Sequence, residues 1–404
     1  MMGLVLEGGG AKGSYHVGVY KAILDTGIEI QGIAGTSAGA LNGAMIVQGD
    51  FDICYDLWKD ISYSKVIEAD DEEIQKLQEL KLNRDDLKIL GEKLRTVIAD
   101  RGFDIAPFKR LLDLYIDEDR IRRSDKDLGM VTVNLTDFKP IEVFKEDIPY
   151  GQLKDYLLAS AYLPTFKTEK LGGKIYLDGA FYDNLPFTLL QKKGYKDLII
   201  VRTHGRGIVR KLNRDEVNAL VVSPSEDIGK SYKYESHMAR KNIKLGYYDG
   251  LKVLRNLKGR YYYIESSRDE DYYLNLLLSI DDEKIEKLTD IVHGPSLSGK
   301  RVLFEYIVPK LGQGLGLSED FSYEELLVGL LEKKAEQLEI PRFKIYDFED
   351  LLQIIRKKEV VDNVDNVDNG GPSTLEKIIE KVDLAAIFNK DEMILQAGDI
   401  ILYE

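Results

Sequence analysis

In the first fifty positions, apolar residues gather into two short runs that each end in glycine and are each followed by residues at helical spacing. Gly3-Leu4-Val5-Leu6-Glu7 reads as a buried strand that breaks into Gly8-Gly9-Gly10-Ala11-Lys12-Gly13, after which Tyr15 to Asp25 has a helical pattern. Residues 28 to 34 repeat the strand, Gly35-Thr36-Ser37-Ala38-Gly39 repeats the turn, and Ala40 to Gln48 repeats the helix. Strands and helices alternating across short glycine turns predict an α/β layered fold. Its central sheet is largely parallel and flanked by helices, with functional loops at the strand carboxyl ends.

The pattern then changes. Residues 62 to 129 are mostly helical in spacing and heavily charged, which predicts a helical insertion or cap. Strands return at Met130 to Leu135 and Pro140 to Phe144, and a helix comes next at Gly151 to Ala161. Lys174 to Leu177 reads as a strand running into Asp178-Gly179-Ala180, and Leu198 to Arg202 is the last clear sheet strand. Beyond residue 205 the chain is acidic, tyrosine-rich and helical in spacing, as in Asp282 to Val292, Tyr323 to Gln337 and Thr374 to Val382. The expected division is an α/β domain over 1–205 and a mainly helical region over 206–404. A flexible linker is expected at 359–373, where Val361-Asp362-Asn363 recurs twice before Gly370-Gly371-Pro372.

Composition narrows the classes. Of 404 residues, 44% are hydrophobic and 31% charged, the balance of a chain that folds around a core. No window approaches the roughly 18 apolar residues of a membrane-spanning helix. Lys+Arg number 56 against 70 Asp+Glu, a net charge of -14, which argues against nucleic acid as a partner and implies overall repulsion from an anionic lipid surface. The lone cysteine, Cys54, cannot form an internal disulfide and fits a reducing compartment. With the glycine loop starting at Gly8, no secretory leader pattern precedes it, so the expected address is cytoplasmic, with transient membrane-surface contact.

Three elements carry candidate chemistry. Gly35-Thr36-Ser37-Ala38-Gly39 matches Gly-x-Ser-x-Gly, whose glycines let a strand turn sharply into a helix and expose the serine oxygen on a strained corner. Gly8 to Gly13 presents successive backbone N–H groups at a helix amino terminus, suited to a developing oxyanion. Asp178, at a strand tip, can reach the same mouth and serve as a base if burial raises its pKa above the usual ~3.9. The glycine string also fits Gly-x-Gly-x-x-Gly, but the acidic residue a dinucleotide fold expects at the end of the second strand is replaced by Gly35-Thr36-Ser37. A phosphate loop would need Gly-Lys-Ser/Thr, whereas the order here is Lys12-Gly13-Ser14. Ser37, Asp178 and His204 stand in the chain order of an α/β-hydrolase triad, which keeps that reading open.

Together these elements resemble the patatin-like phospholipases, lipid acyl hydrolases with a serine–aspartate dyad. The resemblance runs over about residues 3 to 205, and Ala159-Ser160-Ala161, Pro164, Phe166 and Asn184-Leu185-Pro186 look like the family's framework around the aspartate. It implies Ser37 as nucleophile, Asp178 as its base, and an oxyanion hole from the amides of Gly8, Gly9, Gly10, Ala11, Lys12 and Gly13 with that of Ala38. Gly35, Gly39, Gly179, Ala180 and Asn184 would be framework. The implied substrate is a phospholipid or other lipid ester, with no metal and no organic cofactor. Two alternatives stay open: an esterase or thioesterase of soluble acyl groups, and a non-catalytic regulatory protein that uses the fold.

Overall fold

The computed structural model describes residues 1–67, 102–212, 216–297, 299–368 and 390–402. The chain forms two compact units, Met1–Arg255 and Asn256–Glu404. The boundary expected at 205 therefore moves to 255, because the intervening residues complete the first unit. Ala219 to Val222 is an apolar run that with Asn218 adds a further strand, and the helix Ser236–Leu254 packs back onto the first helix of the chain.

The first unit is built on a seven-stranded mixed sheet. Strands β1 (Met2–Leu6), β2 (Gly32–Thr36), β3 (Asp127–Asn134), β6 (Asp197–Val201) and β7 (Asn218–Val222) are parallel, in the order β3-β2-β1-β6-β7. Leu4, Val5 and Leu6 of β1 are fully buried, because helices cover both faces of the central strands. β4 (Lys139–Phe144) and β5 (Tyr176–Asp178) pair with β3 antiparallel, a departure from the largely parallel expectation at one edge only. Helices α1 (Ser14–Asp25) and α2 (Ala38–Gln48) succeed the two glycine turns as expected. α3 (Phe51–Lys59) and the helix Ala106–Tyr115 come after them, the latter from the expected 62–129 cap. Residues 68–101 of that cap lie outside the described residues.

α1 and the helix Ser236–Leu254 approach closely at small residues. A Cβ on Gly18 would sit 2.0 Å from the Ile243 carbonyl oxygen, and one on Gly246 2.3 Å from that of Tyr15. Tyr15 is completely buried there and donates its hydroxyl to Asp249 Oδ2 at 3.0 Å.

The second unit is mainly helical. Glu270–Ser279, Asp282–Ile291, Tyr323–Gln337 and Lys390–Leu402 enclose a core that includes Leu326, Leu330, Leu331, Leu311 and Ile394. A two-stranded parallel sheet, β8 (Tyr263–Glu265) with β9 (Ile345–Asp347), lies in the same unit. Tyr262, Tyr263 and Tyr273 are buried in it, so these tyrosines serve packing. The expected linker is corrected in its first half: the helix Phe348–Asp368 runs through the Val-Asp-Asn repeat, because no glycine or proline interrupts it before Gly370. Residues 369–373, and the helix expected at 374–382, lie outside the described residues.

The helix crossing generates a stability test. Gly246→Ala gains about 1 kcal/mol of helix propensity but forces two backbones apart, an overpacking cost of about 1–3 kcal/mol or more. The expected net result is a lowered melting temperature by circular dichroism. An unchanged or raised value would show that the two helices separate without loss.

Candidate active site

One edge of β3 is shared by two strands that run toward each other. β2 occupies its first part, ending with Thr36 opposite Val131, and β5 occupies the rest, ending with Asp178 opposite Thr132. Consecutive residues of β3 thus fix the ends of two opposed strands. Ser37 comes directly after one end and Asp178 is the other, and the Ser37 hydroxyl lies near enough to the Asp178 carboxylate to favour its charged form. The Thr132 hydroxyl locks this arrangement by donating to the carbonyls of Leu177 (3.0 Å) and Ala159 (2.9 Å).

Ser37 adopts φ 55° and ψ −124°, a conformation that L-residues rarely hold and that marks a strained strand-to-helix corner. Its own amide donates to Ser160 Oγ at 3.0 Å, and both residues are buried. Gly35 and Gly39 face each other across the corner: a Cβ on Gly35 would lie 2.3 Å from the Gly39 carbonyl carbon. On the aspartate side, a Cβ on Gly179 would lie 2.2 Å from the Val131 carbonyl oxygen, so the residue after Asp178 has to be glycine for β5 to reach β3.

Burial dominates the electrostatics of Asp178. The residue is 1% exposed, and loss of solvation pushes its carboxyl up to about 6, opposed by the hydrogen bond from the Ala180 amide (2.8 Å) and by the nearby Ser37 hydroxyl. A carboxylate poised just below neutrality is ionised at pH 7 and is still more basic than a free aspartate.

The glycine loop leaves β1 beside this pair. Its amides divide into two sets. Gly8 N–H donates to the Asn184 carbonyl (3.0 Å), Ala11 N–H to that of Ser231 (2.7 Å) and Lys12 N–H to that of Gly9 (3.2 Å). Those of Gly9 and Gly10 make no hydrogen bond among the described residues. Gly10 has φ +54°, and a Cβ there would lie 2.2 Å from the Ser231 carbonyl oxygen. Ala38 opens α2, so its N–H also lies at a helix amino terminus. Asn184 is fully buried and holds the loop from the side, its Nδ2 donating to the Gly8 carbonyl at 3.2 Å. Lys12 donates to the carbonyls of Thr203 (3.2 Å) and His204 (3.3 Å), which makes it a brace of the loop, and burial lowers its pKa.

Two buried groups escape the sequence reading. Glu7, fully buried before the loop, accepts at Oε2 from the Thr203 amide (2.6 Å), the His204 amide (2.9 Å) and Arg202 Nε (3.0 Å). A carboxylate next to a glycine triplet is the available signal. Asp183, also fully buried, accepts from the Leu185 amide and pairs with Arg210, while its carbonyl receives the Thr36 hydroxyl.

Neither His16 nor His204 hydrogen-bonds Ser37 or Asp178 among the described residues. His16 is buried, its ring accepts from Asn42 Nδ2, and burial holds its pKa down to about 3. His204 is exposed and lines the same cleft as Ser37 and Asp178, but its backbone, not its ring, is held by Glu7 and Lys12. Ser37 and Asp178 open into a cleft of about 1240 Å³ within the first unit. Leu41 and Met45 of α2, Leu57 and Trp58 of α3, and Phe108 and Leu112 of the helix Ala106–Tyr115 supply apolar walls. Among the described residues, no helix is long and apolar enough to cross a membrane.

Residues 4–190 match the model of the family described as patatin-like phospholipase. The lysophospholipase NTE1 of Yarrowia lipolytica is 25% identical over 193 residues, covering 48% of this chain and 12% of that protein. The neuropathy target esterase sws of Drosophila persimilis is 54% identical over 44 residues, 11% of this chain and 3% of that protein. The chain thus spans a small part of these relatives' length. Among solved structures, VipD of Legionella pneumophila aligns over 99% of this chain and 91% of its own, with a TM-score of 0.38 and 13% identity. ExoU of Pseudomonas aeruginosa, in complex with SpcU, aligns over 98% and 76%, with a TM-score of 0.31 and 16% identity. Over residues 4–190, a little under half of its length, the chain is similar to the patatin-like phospholipases.

Proposed function

We propose that this protein is a serine lipid acyl hydrolase that cleaves fatty-acyl esters of phospholipids through a dyad of Ser37 and Asp178. The observation that carries the reading is the juxtaposition of Ser37 and Asp178 at the meeting ends of β2 and β5, where both line an apolar cleft of about 1240 Å³. Ligand pockets commonly measure about 300–1,000 Å³, so there is room for a long acyl chain. The names of the matched relatives, a lysophospholipase and an esterase, agree with ester hydrolysis.

In this mechanism Ser37 Oγ attacks the ester carbonyl carbon while its proton passes to Asp178. The tetrahedral oxyanion is received by the amides of Gly9 and Gly10, which make no hydrogen bond among the described residues, and by that of Ala38 at the start of α2. Gly8, Ala11 and Lys12 support the hole by holding the loop in shape through their own bonds. The leaving alkoxide takes the proton from Asp178, the C–O bond breaks, and an acyl-enzyme remains. Water then gives its proton to Asp178 and attacks the acyl carbon, releasing the fatty acid and restoring the serine.

Fatty-acid release from phosphatidylcholine vesicles and hydrolysis of a short p-nitrophenyl ester test the assignment. Ser37→Ala and Asp178→Asn are each expected to lose about 10³-fold or more in kcat, while His204→Ala stays within about twofold of the parent. An inactive His204→Ala would replace the dyad by a triad. The pH dependence comes from the base having to be ionised: kcat/KM rises through one acidic limb centred near pH 6. A midpoint near 4 would mean that burial does not raise the pKa of the catalytic carboxylate.

Stability should run the other way. Because folding raises the pKa of Asp178, the native state favours its protonated form, and stability from this group is lost as pH rises through about 6. At pH 8 the buried charge therefore costs roughly 3 kcal/mol. Asp178→Asn is expected to melt higher than the parent at pH 8, with the difference vanishing below about pH 4, as monitored by calorimetry. Equal melting temperatures at pH 8 would contradict the raised pKa.

A further inference from the structure

The charge of the cleft is opposite to that of the chain. The whole sequence carries 70 acidic side chains against 56 basic ones. Yet among the described residues that line the cleft, Asp178 at its floor is the sole carboxylate, against Lys12, Lys65, Arg206 and Lys230. Lys12 is spent on the Thr203 and His204 carbonyls, and Lys65 donates to the Asp60 carbonyl. Neither Arg206 nor Lys230 pairs with a carboxylate among the described residues. Lys230 lies 5.7 Å from the centre of the Tyr232 ring.

Apolar side chains share this rim. Ile208 and Val209 line the cleft and are 39% and 36% exposed. The loop that carries them with Arg206 is firmly held. Ile208 N–H donates to the Ala180 carbonyl (2.9 Å), its carbonyl accepts from the Asn184 amide (2.6 Å), and Arg210 pairs with Asp183 and Glu142. Exposed branched apolar residues fixed beside unpaired cations, at the mouth of an apolar cleft, match a lipid surface carrying negative charge: the side chains enter the acyl boundary and the cations meet phosphate.

We propose that the rim formed by Arg206, Ile208, Val209 and Lys230 docks the protein on an anionic phospholipid surface and admits anionic lipid to the cleft. This deepens the hydrolase reading and rests on it for the cleft's role. It also reverses what net charge alone implies, since the local field at the rim, not the total of -14, faces the bilayer within the ~8 Å Debye length of physiological salt.

The test measures binding, not turnover. In a Ser37→Ala background, partition into vesicles of phosphatidylcholine alone is compared with partition into vesicles of phosphatidylcholine mixed with phosphatidylglycerol. The parent should prefer the mixed vesicles, and Arg206→Ala/Lys230→Ala should lose about tenfold or more of that binding. Ile208→Ser/Val209→Ser should weaken binding to both vesicle types. Lys21→Ala/Lys174→Ala, which removes equal charge from exposed cations paired with Asp25 and Asp137, is the control and should bind like the parent. The proposal is overturned if the parent shows no preference for phosphatidylglycerol, or if the control pair loses as much as the rim pair. Melting temperatures confirm that each variant is folded. Selective binding without ester cleavage by the Ser37 protein would remove the hydrolase reading alone, whereas cleavage without selective binding would remove the docking proposal alone.

Discussion

Everything at this site depends on the pairing capacity of one edge of β3. A strand edge ordinarily accepts one neighbour along its length, but here it accepts β2 for five residues and β5 for the next three. Because the two arrive from opposite directions, their carboxyl ends meet, and the meeting point is set by main-chain hydrogen bonds rather than by loop conformation. A serine just past one strand end and an aspartate at the other are thereby held on rigid elements, the condition under which side-chain geometry is reproducible. Thr132, Gly179 and Ser160 each refine that placement by a contact that only a small or hydroxylated side chain can make.

The buried carboxylates of the first unit show how environment assigns work to identical groups. Glu7 gathers two amides and a guanidinium on one oxygen, and so functions as a structural anion that ties the 202–204 segment to the glycine loop. Asp178 receives one amide, with the Ser37 hydroxyl nearby, too little to offset its desolvation, and is left more basic than a free aspartate. Asp183 stands between them: burial raises it to about 6 while Arg210 pulls it down, and its backbone rather than its carboxyl touches the serine corner through Thr36.

Local signals are the legible ones. The two glycine turns, the strands before them and the helices after them can be read because each is a contiguous pattern with its own backbone requirement. Asp178-Gly179-Ala180 is legible as a strand tip, but not the reversed direction of β5, since pairing partners are set by residues distant in sequence. The strand Asn218–Val222 is hidden although Ala219 to Val222 is an apolar run, because it comes after a charged, glycine-containing loop that resembles a domain boundary. The repeat near residue 361 reads as polar linker from composition, yet in the structure it continues a helix begun by a buried apolar stretch at Leu351 and Ile355. The charge of the cleft is invisible for a different reason: a net total carries no information about where its components face.

The interlocking of α1 with the helix Ser236–Leu254 separates two intervals that are easily taken as one. The stretch shared with relatives closes at residue 190, whereas the stretch that folds together runs to Arg255. Tyr15, at the start of the helix behind the glycine loop, is buried only because Gly246 and Asp249 arrive from the far end of that interval. What is inherited as a motif is therefore smaller than what must be inherited as a body. A recombination event that carried only the recognisable half would deliver every catalytic candidate and leave the helix behind the glycine loop with a bare apolar face.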